Sequence, residues 1–297
     1  MNTLSINIGG GVRSIQKQKW VKNLCQEHEI TVLGIQETKL TQLDMFVVKA
    51  FWGNSQFGVA CSSSRGRSGG ILTIWDNTSF FMKRILSFEN VLIVEGQRIG
   101  REANCYLINI YAPQQRLKKN RLWDYLSTYM SNNSGEFILF GDFNVVRAAH
   151  EREGSIFCPL TAGDFNNFIS NSNLVEVPLC GRRFTRSNKF CNKRAKLDRL
   201  LMSNNTLDSW PNMVGRILPN LWSDHCPITL LVDKSDYGPT PFKLFNSWFN
   251  RDGFDSVVKD ACIVFDNTNS LTGIHPLIRF KEKLKFIKAN LKAWNHG

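Results

Sequence analysis

The chain has 297 residues, 42% of them hydrophobic, enough to bury one large core or two small ones. With 37 basic against 25 acidic residues its net charge is +12, which points to a polyanionic partner, nucleic acid ahead of an anionic membrane surface. No run approaches the roughly 20 apolar residues that span a bilayer, the N-terminus lacks the regions of a signal peptide, and none of the eight cysteines stands in a Cys-x-x-Cys pair. A transmembrane segment, secretion and a zinc site are set aside, and the cysteines are expected as reduced thiols, most of them small buried hydrophobes, in a nuclear or cytoplasmic protein.

Residues 4–8 read as a strand that begins almost at once. Trp20, Val21, Leu24 and Cys25 then recur at helical spacing, with Ser14 as the N-cap. Residues 31–36 return to strand and end at Glu37. Residues 69–75, 91–95 and 105–111 read as successive strands separated by polar turns. Leu122, Trp123, Leu126, Tyr129 and Met130 mark a second amphipathic helix. The apolar run Phe137-Ile138-Leu139-Phe140 is a buried-strand signal, followed directly by Gly141-Asp142-Phe143-Asn144. Phe165, Phe168 and Ile169 predict a third helix capped by Thr161.

Next comes a basic stretch. Arg182, Arg183, Arg186, Lys189, Lys193, Arg194, Lys196 and Arg199 face the single acid Asp198, and a phosphate-contacting loop is expected there. Ser223-Asp224-His225 precedes another apolar run at residues 226–232. Composition shifts across residues 233–241, which read as a domain exit. Beyond it, Phe254, Val257, Val258, Ala261 and Phe265 predict one helix, and Phe280, Leu284, Ile287, Leu291 and Trp294 another with lysines on its other faces. Strands outnumber helices and many connections are short. An α/β layered fold with helices outside two sheets fits this pattern better than one doubly wound sheet.

Several polar residues stand at strand ends: Asn7, Glu37, Tyr111, Asp142, Asn144, Asp198, Asp224 and His225. All the potential ligands among them except His225 offer oxygen, which suits Mg²⁺ or Mn²⁺ and disfavours zinc. Singly each motif is weak, since Gly-Asp-x-Asn is by itself most often a turn. Their joint order is specific. Asn7, Gly34-Ile35-Gln36-Glu37-Thr38, Tyr111-Ala112-Pro113, Gly141-Asp142-Phe143-Asn144, Leu197-Asp198-Arg199 and Ser223-Asp224-His225 together resemble the endonuclease/exonuclease/phosphatase superfamily over nearly all of residues 1–232. Within it the chain looks most like the apurinic-type endonuclease domain of plant LINE (non-LTR) retrotransposons. Ser68-Gly69-Gly70-Ile71, Asn109-Ile110-Tyr111-Ala112-Pro113 and Pro241-Phe242-Lys243-Leu244-Phe245-Asn246-Ser247-Trp248 carry that finer likeness.

The resemblance implies a four-layer α/β sandwich, two packed mixed sheets flanked by helices, in residues 1–232. Residues 233–297 would be a linker and helical segment leading to a reverse transcriptase that is absent here, so the chain would be the N-terminal piece of something longer. It also implies divalent-metal hydrolysis of DNA phosphodiesters, leaving a 3′-hydroxyl that primes reverse transcription. Glu37 would be the principal Mg²⁺ ligand, with Asn7 and Asp224 completing the site. Asp142 would activate water, and Asn144 would hold the water or a phosphate oxygen. His225, oriented and kept protonated by Asp198, would donate to a non-bridging oxygen, and Tyr111 would touch the phosphate. DNA would be held by Arg182, Arg183, Arg186, Lys189, Lys193, Arg194 and Lys196. His28, His150, His275 and His296 have no place in the pattern and read as surface or packing residues.

Three positions depart from the family: Ile6 stands where Trp is usual, Gly9 where Arg or Cys is common, and Arg186 where Trp follows Phe-Thr. They suggest a drifting copy. Two other functions share the same features, an inactive nucleic-acid-binding remnant of a retroelement and a phosphoesterase acting on inositol phosphates or lipids.

Overall fold

A computed structural model describes residues 1–297 other than 54–55, 65–68, 211, 234–241, 243, 245–247, 250, 269–274 and 297. Ser68, most of the 233–241 segment, and Pro241, Lys243 and residues 245–247 of the last motif lie outside the described residues, as does the side chain of His296. Two compact units are present, Met1–Lys234 and Ser235–Gly297. Among the described residues no helix is long and apolar enough to cross a membrane.

The first half of the larger unit runs β1 (Thr3–Asn7), α1 (Ile15–Glu27), β2 (Val32–Gln36), α2 (Met45–Trp52), β3 (Phe57–Ser62), β4 (Ile71–Asp76), β5 (Phe80–Ser87), β6 (Val91–Arg98) and β7 (Asn104–Tyr111). It continues through α3 (Arg116–Ser131), β8 (Glu136–Asp142), β9 (Arg152–Glu153), α4 (Pro159–Asn171), β10 (Leu174–Glu176) and β11 (Leu179–Cys180). It closes with β12 (Arg186–Ser187), β13 (Arg194–Ala195), β14 (Asp198–Ser203), α5 (Asn204–Ser209), β15 (Met213–Ile217) and β16 (Ile228–Val232).

One seven-stranded sheet has the order β11-β15-β16-β1-β2-β4-β3, and a six-stranded sheet the order β10-β14-β8-β7-β6-β5. Both are mixed, because β1 pairs parallel with β2 and β7 parallel with β8 while their other central neighbours run antiparallel. The sheets face each other across a core that includes Trp75, Phe80, Leu107, Ile138, Phe140, Leu200 and Ile228. Helices α1 and α2 cover the outer face of the first sheet, and α3 and α4 that of the second. Strands β1, β2 and β8 are therefore buried on both faces and read as unbroken buried runs.

Close approach of the sheets depends on Gly34 in β2. A Cβ there would lie 2.3 Å from Phe140 Cε2, so any side chain would push β8 away. Beside it runs a buried polar seam. Gln36 Nε2 donates to Ser5 Oγ and to Asn109 Oδ1 (3.1 and 2.6 Å), and Asn109 Nδ2 donates to Leu72 O and Thr73 Oγ1. These bonds tie the first sheet to the second immediately before Glu37.

Some local expectations change. Helix α4 starts at Pro159 with Cys158 as its N-cap, because proline suits the first helical position; Thr161 lies in the first turn, its hydroxyl 3.2 Å from Cys158 Sγ. Ser14 is the N-cap of α1, but its hydroxyl bonds Gln16 Oε1, leaving the helix N–H groups uncapped by it. Helix α2 gave no amphipathic signal because Met45-Phe46-Val47-Val48 is apolar around the helix; Asp44 starts it by accepting from the Phe46 and Val47 N–H groups. Among the cysteines, all of them free, only Cys25, Cys105 and Cys226 are buried, while Cys158, Cys180 and Cys191 are exposed because their segments are loops and short edge strands.

The smaller unit contains α6 (Phe254–Thr268) and α7 (Pro276–His296). Phe254, Ala261 and Phe265 of α6 and Leu291 of α7 are buried, and Asp266 pairs with Arg279 and Lys283. Phe280 and Leu284 are 59% and 50% exposed, against the expected buried stripe, because one partner helix covers only a narrow seam.

Candidate active site

Strand register assembles the polar residues. In the six-stranded sheet β8 lies between β7 and β14, and its last residue, Asp142, is level with Tyr111 on one side and Asp198 on the other. In the facing sheet Asn7 ends β1 level with Gln36, and Glu37 follows. Asn7 bridges the sheets, its Nδ2 donating to Asp142 Oδ2 at 2.9 Å. The Ser223-Asp224-His225 turn hangs from the same residue, since Ser223 Oγ donates to Asn7 O (2.7 Å) and accepts from the His225 N–H. His225 is thereby placed with Nδ1 2.9 Å from Asp198 Oδ2 and Nε2 3.8 Å from Asp142 Oδ2.

Gly141 makes the sharp exit from β8. It has φ 136°, and a Cβ would sit 2.0 Å from Ile110 O. Asn144 then adopts a left-handed conformation (φ 51°), and its N–H donates to Asp142 Oδ1 at 2.9 Å. Glu37 is also left-handed (φ 59°). Strained non-glycine residues of this kind persist where surrounding structure over-determines them, as at functional sites.

Electrostatically the cluster is a buried, coupled set of two carboxyls and an imidazole. Burial alone would lower the His225 pKa, but Asp198 and Asp142 outweigh it and push it up to about 9. The imidazole is therefore charged at neutral pH. Burial raises the Asp142 carboxyl above the usual carboxylate range, opposed by the His225 charge and by the Asn7 and Asn144 hydrogen bonds. Tyr111 is pushed up to about 12 by burial and by the negative charge of Glu37 and Asp142, so its hydroxyl keeps its proton. Asp198 Oδ1 is buried with no hydrogen-bond partner among the described residues.

The other expected residues lie on open walls beside this cluster. Glu37 and Asp224 share a groove of about 640 Å³ with Arg186, Lys189, Trp222 and Ser223. Asp224 is held there by Arg186 (Nε–Oδ2 3.0 Å). Tyr111, near enough to Glu37 and Asp142 to feel their charge, also lines a cleft of about 230 Å³ with Gln114 and Lys118. Asp142, Asp198 and His225 present ligand atoms within 4.8 Å of one another, a group able to hold a metal ion, and the surrounding donors are oxygens suited to a hard divalent cation.

Within the basic stretch β12 and β13 are extended and form a small sheet with β9; Lys189 and Lys193 lie in the loop between them, and acids from elsewhere neutralise much of the stretch. Lys196 pairs with Glu176 at 2.6 Å, Arg183 and Arg194 with Glu153, and Arg186 with Asp224. Arg199 is fully buried between Glu151 and Glu176. Arg182 donates to Asn220 Oδ1. Lys189 and Lys193 are exposed, with no carboxylate partner among the described residues.

Two residues absent from the sequence reading complete the turn. Gln114 Nε2 donates to Asn144 Oδ1 at 2.7 Å, and Lys119 Nζ to Asn144 O at 2.6 Å. Lys119 had a signal: it stands at the i, i+3, i+4, i+7 spacing of Leu122, Trp123 and Leu126, on the apolar stripe of α3.

Solved structures share this fold at low identity. An AP endonuclease from Leishmania major is 18% identical with a TM-score of 0.59, the match covering 77% of this chain and 86% of that one. A 3′ phosphatase from Neisseria, bound to product DNA hairpin, is 16% identical with a TM-score of 0.62, covering 78% and 99%. The endonuclease domain of TRAS1, a telomere-specific non-LTR retrotransposon, is 14% identical with a TM-score of 0.58, covering 78% and 99%. No curated protein matches the sequence. The model of the Endonuclease/Exonuclease/phosphatase family, whose members are metal-dependent phosphoesterases, matches residues 4–225. That span begins three residues before Asn7 and ends on His225, enclosing the whole buried cluster, and the chain belongs to the Endonuclease/Exonuclease/phosphatase family.

Proposed function

We propose that this chain is a divalent-metal-dependent endonuclease that nicks DNA by phosphodiester hydrolysis, leaving a 3′-hydroxyl to prime reverse transcription in a LINE-type element. The observation that carries the reading is the buried line Asp198–His225–Asp142–Asn7 at the facing ends of two sheets. It offers a carboxylate to take a proton and, 3.8 Å away, a charged imidazole to donate one.

Glu37, Asp224 and the Asn7 amide oxygen would hold Mg²⁺ or Mn²⁺. His225 is a poor ligand while both its nitrogens are protonated, so the oxygen set on the groove suits the cation better than the imidazole does. Bound there, the cation supplies positive charge to the phosphate and the leaving alkoxide. Asp142, steadied through Oδ1 by the Asn144 N–H, accepts the proton of the attacking water. His225, with Nδ1–H given to Asp198, turns Nε2–H toward a non-bridging oxygen as charge builds there. The Tyr111 hydroxyl donates to the phosphate, and Asn144, already engaged with Ala112 O and Gln114, orients the water with its remaining N–H.

DNA is the proposed substrate because exposed Lys189 lines the groove that carries Glu37 and Asp224. The fold shared with the DNA-bound Neisseria phosphatase and the TRAS1 domain supports it.

Supercoiled-plasmid nicking with Mg²⁺ and with a chelator, on wild type, Glu37→Ala and His225→Ala, tests the reading. Wild type is expected to nick only with metal, and both variants to lose at least two orders of magnitude. Equal rates for wild type and variants would refute it. Salt-sensitive DNA binding without nicking would support a binding remnant, and hydrolysis of inositol phosphates or lipids without nicking a different phosphoesterase.

A further inference from the structure

Lys119 occupies a position where helix α3 has use for an apolar residue. It lies on the stripe with Leu122, Trp123, Leu126 and Met130, and only 4% of it is exposed. Among the described residues its ammonium has no carboxylate partner, and its side-chain hydrogen bond goes to the Asn144 carbonyl at 2.6 Å. A buried ammonium resting on one neutral acceptor destabilises a fold, and a methionine of similar length would fill the same space at lower cost. Burial accordingly lowers the Lys119 pKa, with Asp142 the main opposing charge.

The carbonyl it holds belongs to the left-handed residue of the Gly141-Asp142-Phe143-Asn144 turn. Each polar group of Asn144 has its own tether. The N–H goes to Asp142 Oδ1, Nδ2 to Ala112 O, Oδ1 accepts from Gln114, and O accepts from Lys119. Asn144 is itself 8% exposed, so without Lys119 that carbonyl would be buried and unpaired, and the strained φ would lose one of its restraints.

We propose that Lys119 is a positioning residue: its ammonium locks the Asn144 turn, and through it the aim of the Asp142 carboxylate, at the expense of fold stability. The kinetic part of this proposal rests on the phosphodiesterase reading, whereas its structural part does not.

The test compares wild type, Lys119→Met and Lys119→Arg by thermal unfolding, by nicking kinetics at saturating Mg²⁺, and by hydrogen exchange in the peptide covering residues 141–144. Lys119→Met is expected to unfold at the same or a higher temperature while kcat falls roughly 10- to 100-fold with KM within about twofold, the scale for a misaimed catalytic group. Exchange in residues 141–144 should accelerate about tenfold or more, and Lys119→Arg should recover most of both effects. A kcat for Lys119→Met within about threefold of wild type overturns the proposal. So does a kcat that falls only in step with a lower unfolding temperature. If wild type itself does not cleave, the functional reading fails, and the other two measurements still decide: faster exchange at undiminished thermal stability supports Lys119, and unchanged exchange or a lower unfolding temperature refutes it.

Discussion

Asp198 Oδ2 lies 2.9 Å from His225 Nδ1, in a site where 1% of the aspartate and 4% of the histidine are exposed. Water cannot screen this pair, so the carboxylate both fixes the ring and holds its charge. Asp198→Asn preserves shape and removes that charge. Nicking at pH 7.5 is expected to drop on the order of 10²- to 10⁴-fold, as when an orienting carboxylate is lost beside a catalytic histidine. The alkaline limb of its pH–rate profile should also move to lower pH, and an unmoved limb would show that Asp198 does not set the His225 charge.

The wild-type pH–rate profile should be bell-shaped. If Asp142 is the base proposed above, it must be ionised to accept a proton, so activity is lost as pH falls through a pKa raised above the ordinary carboxylate value of about 4. His225 must be protonated, so activity is lost as pH rises through about 9. The two limbs belong to the coupled pair and not to either residue alone. Steady-state nicking from pH 4 to 10, roughly the span of both limbs, measures it; full activity persisting at pH 4 would remove Asp142 as the base.

Acid stability should report the buried ion cluster of Arg199, Arg147, Lys196, Glu151 and Glu176. Burial would raise the Glu176 pKa, but Arg199, Arg147 and Lys196 outweigh it and hold it at about 2, below its unfolded value of 4.5. A depressed pKa contributes stability that is complete above the unfolded value and is lost as pH falls through the folded one. That contribution is about 3 kcal/mol at neutral pH, disappearing between about pH 4.5 and pH 2. Denaturant unfolding across this window should show the decline. Glu176→Gln should flatten it and destabilise the protein at pH 7 by about 3 kcal/mol or more, because Arg199 would be left buried with fewer partners.

Gly34→Ala should destabilise the fold by about 1–3 kcal/mol, the range for overpacking a close contact. The added methyl meets the Phe140 ring and Asn109 Nδ2 at once. Phe140→Leu in the same chain should restore part of the loss. Equal unfolding midpoints for wild type and Gly34→Ala would show that the sheets yield there.

Charge in the basic stretch should divide into two kinds. Lys189→Ala is expected to weaken DNA binding and reduce the slope of log affinity against log salt by about 1, the effect of losing one phosphate contact. Lys196→Ala should leave that slope unchanged and lower thermal stability, since its ammonium is committed to Glu176. Binding titrations over a range of salt distinguish the two, and equal slopes for both variants would refute the division.

Strand ends were legible because they are local events. An apolar run giving way to Asp142 and Asn144, or to Glu37, marks where a buried strand reaches the surface. The long periodic helices α1, α3 and α4 were visible for the same reason. Helix α2 and strands β3, β5 and β9–β15 were not: apolar residues around a short helix and runs of two or three extended residues carry no period, and β5 is exposed over most of its length.

The sequence by itself determined which chemical groups are available, an oxygen-rich set with one histidine, and the approximate places where strands deliver them. Only the tertiary structure decided their relations. Asn7 meets Asp142 across 135 residues, and Asp142 lies level with Asp198 because β8 and β14 pair in one register. Glu151, Glu153 and Glu176 arrive from outside the basic stretch to neutralise it, and Lys119 is turned inward onto Asn144. Such contacts follow from sheet register and from which faces pack together, and neither is set by neighbours along the chain.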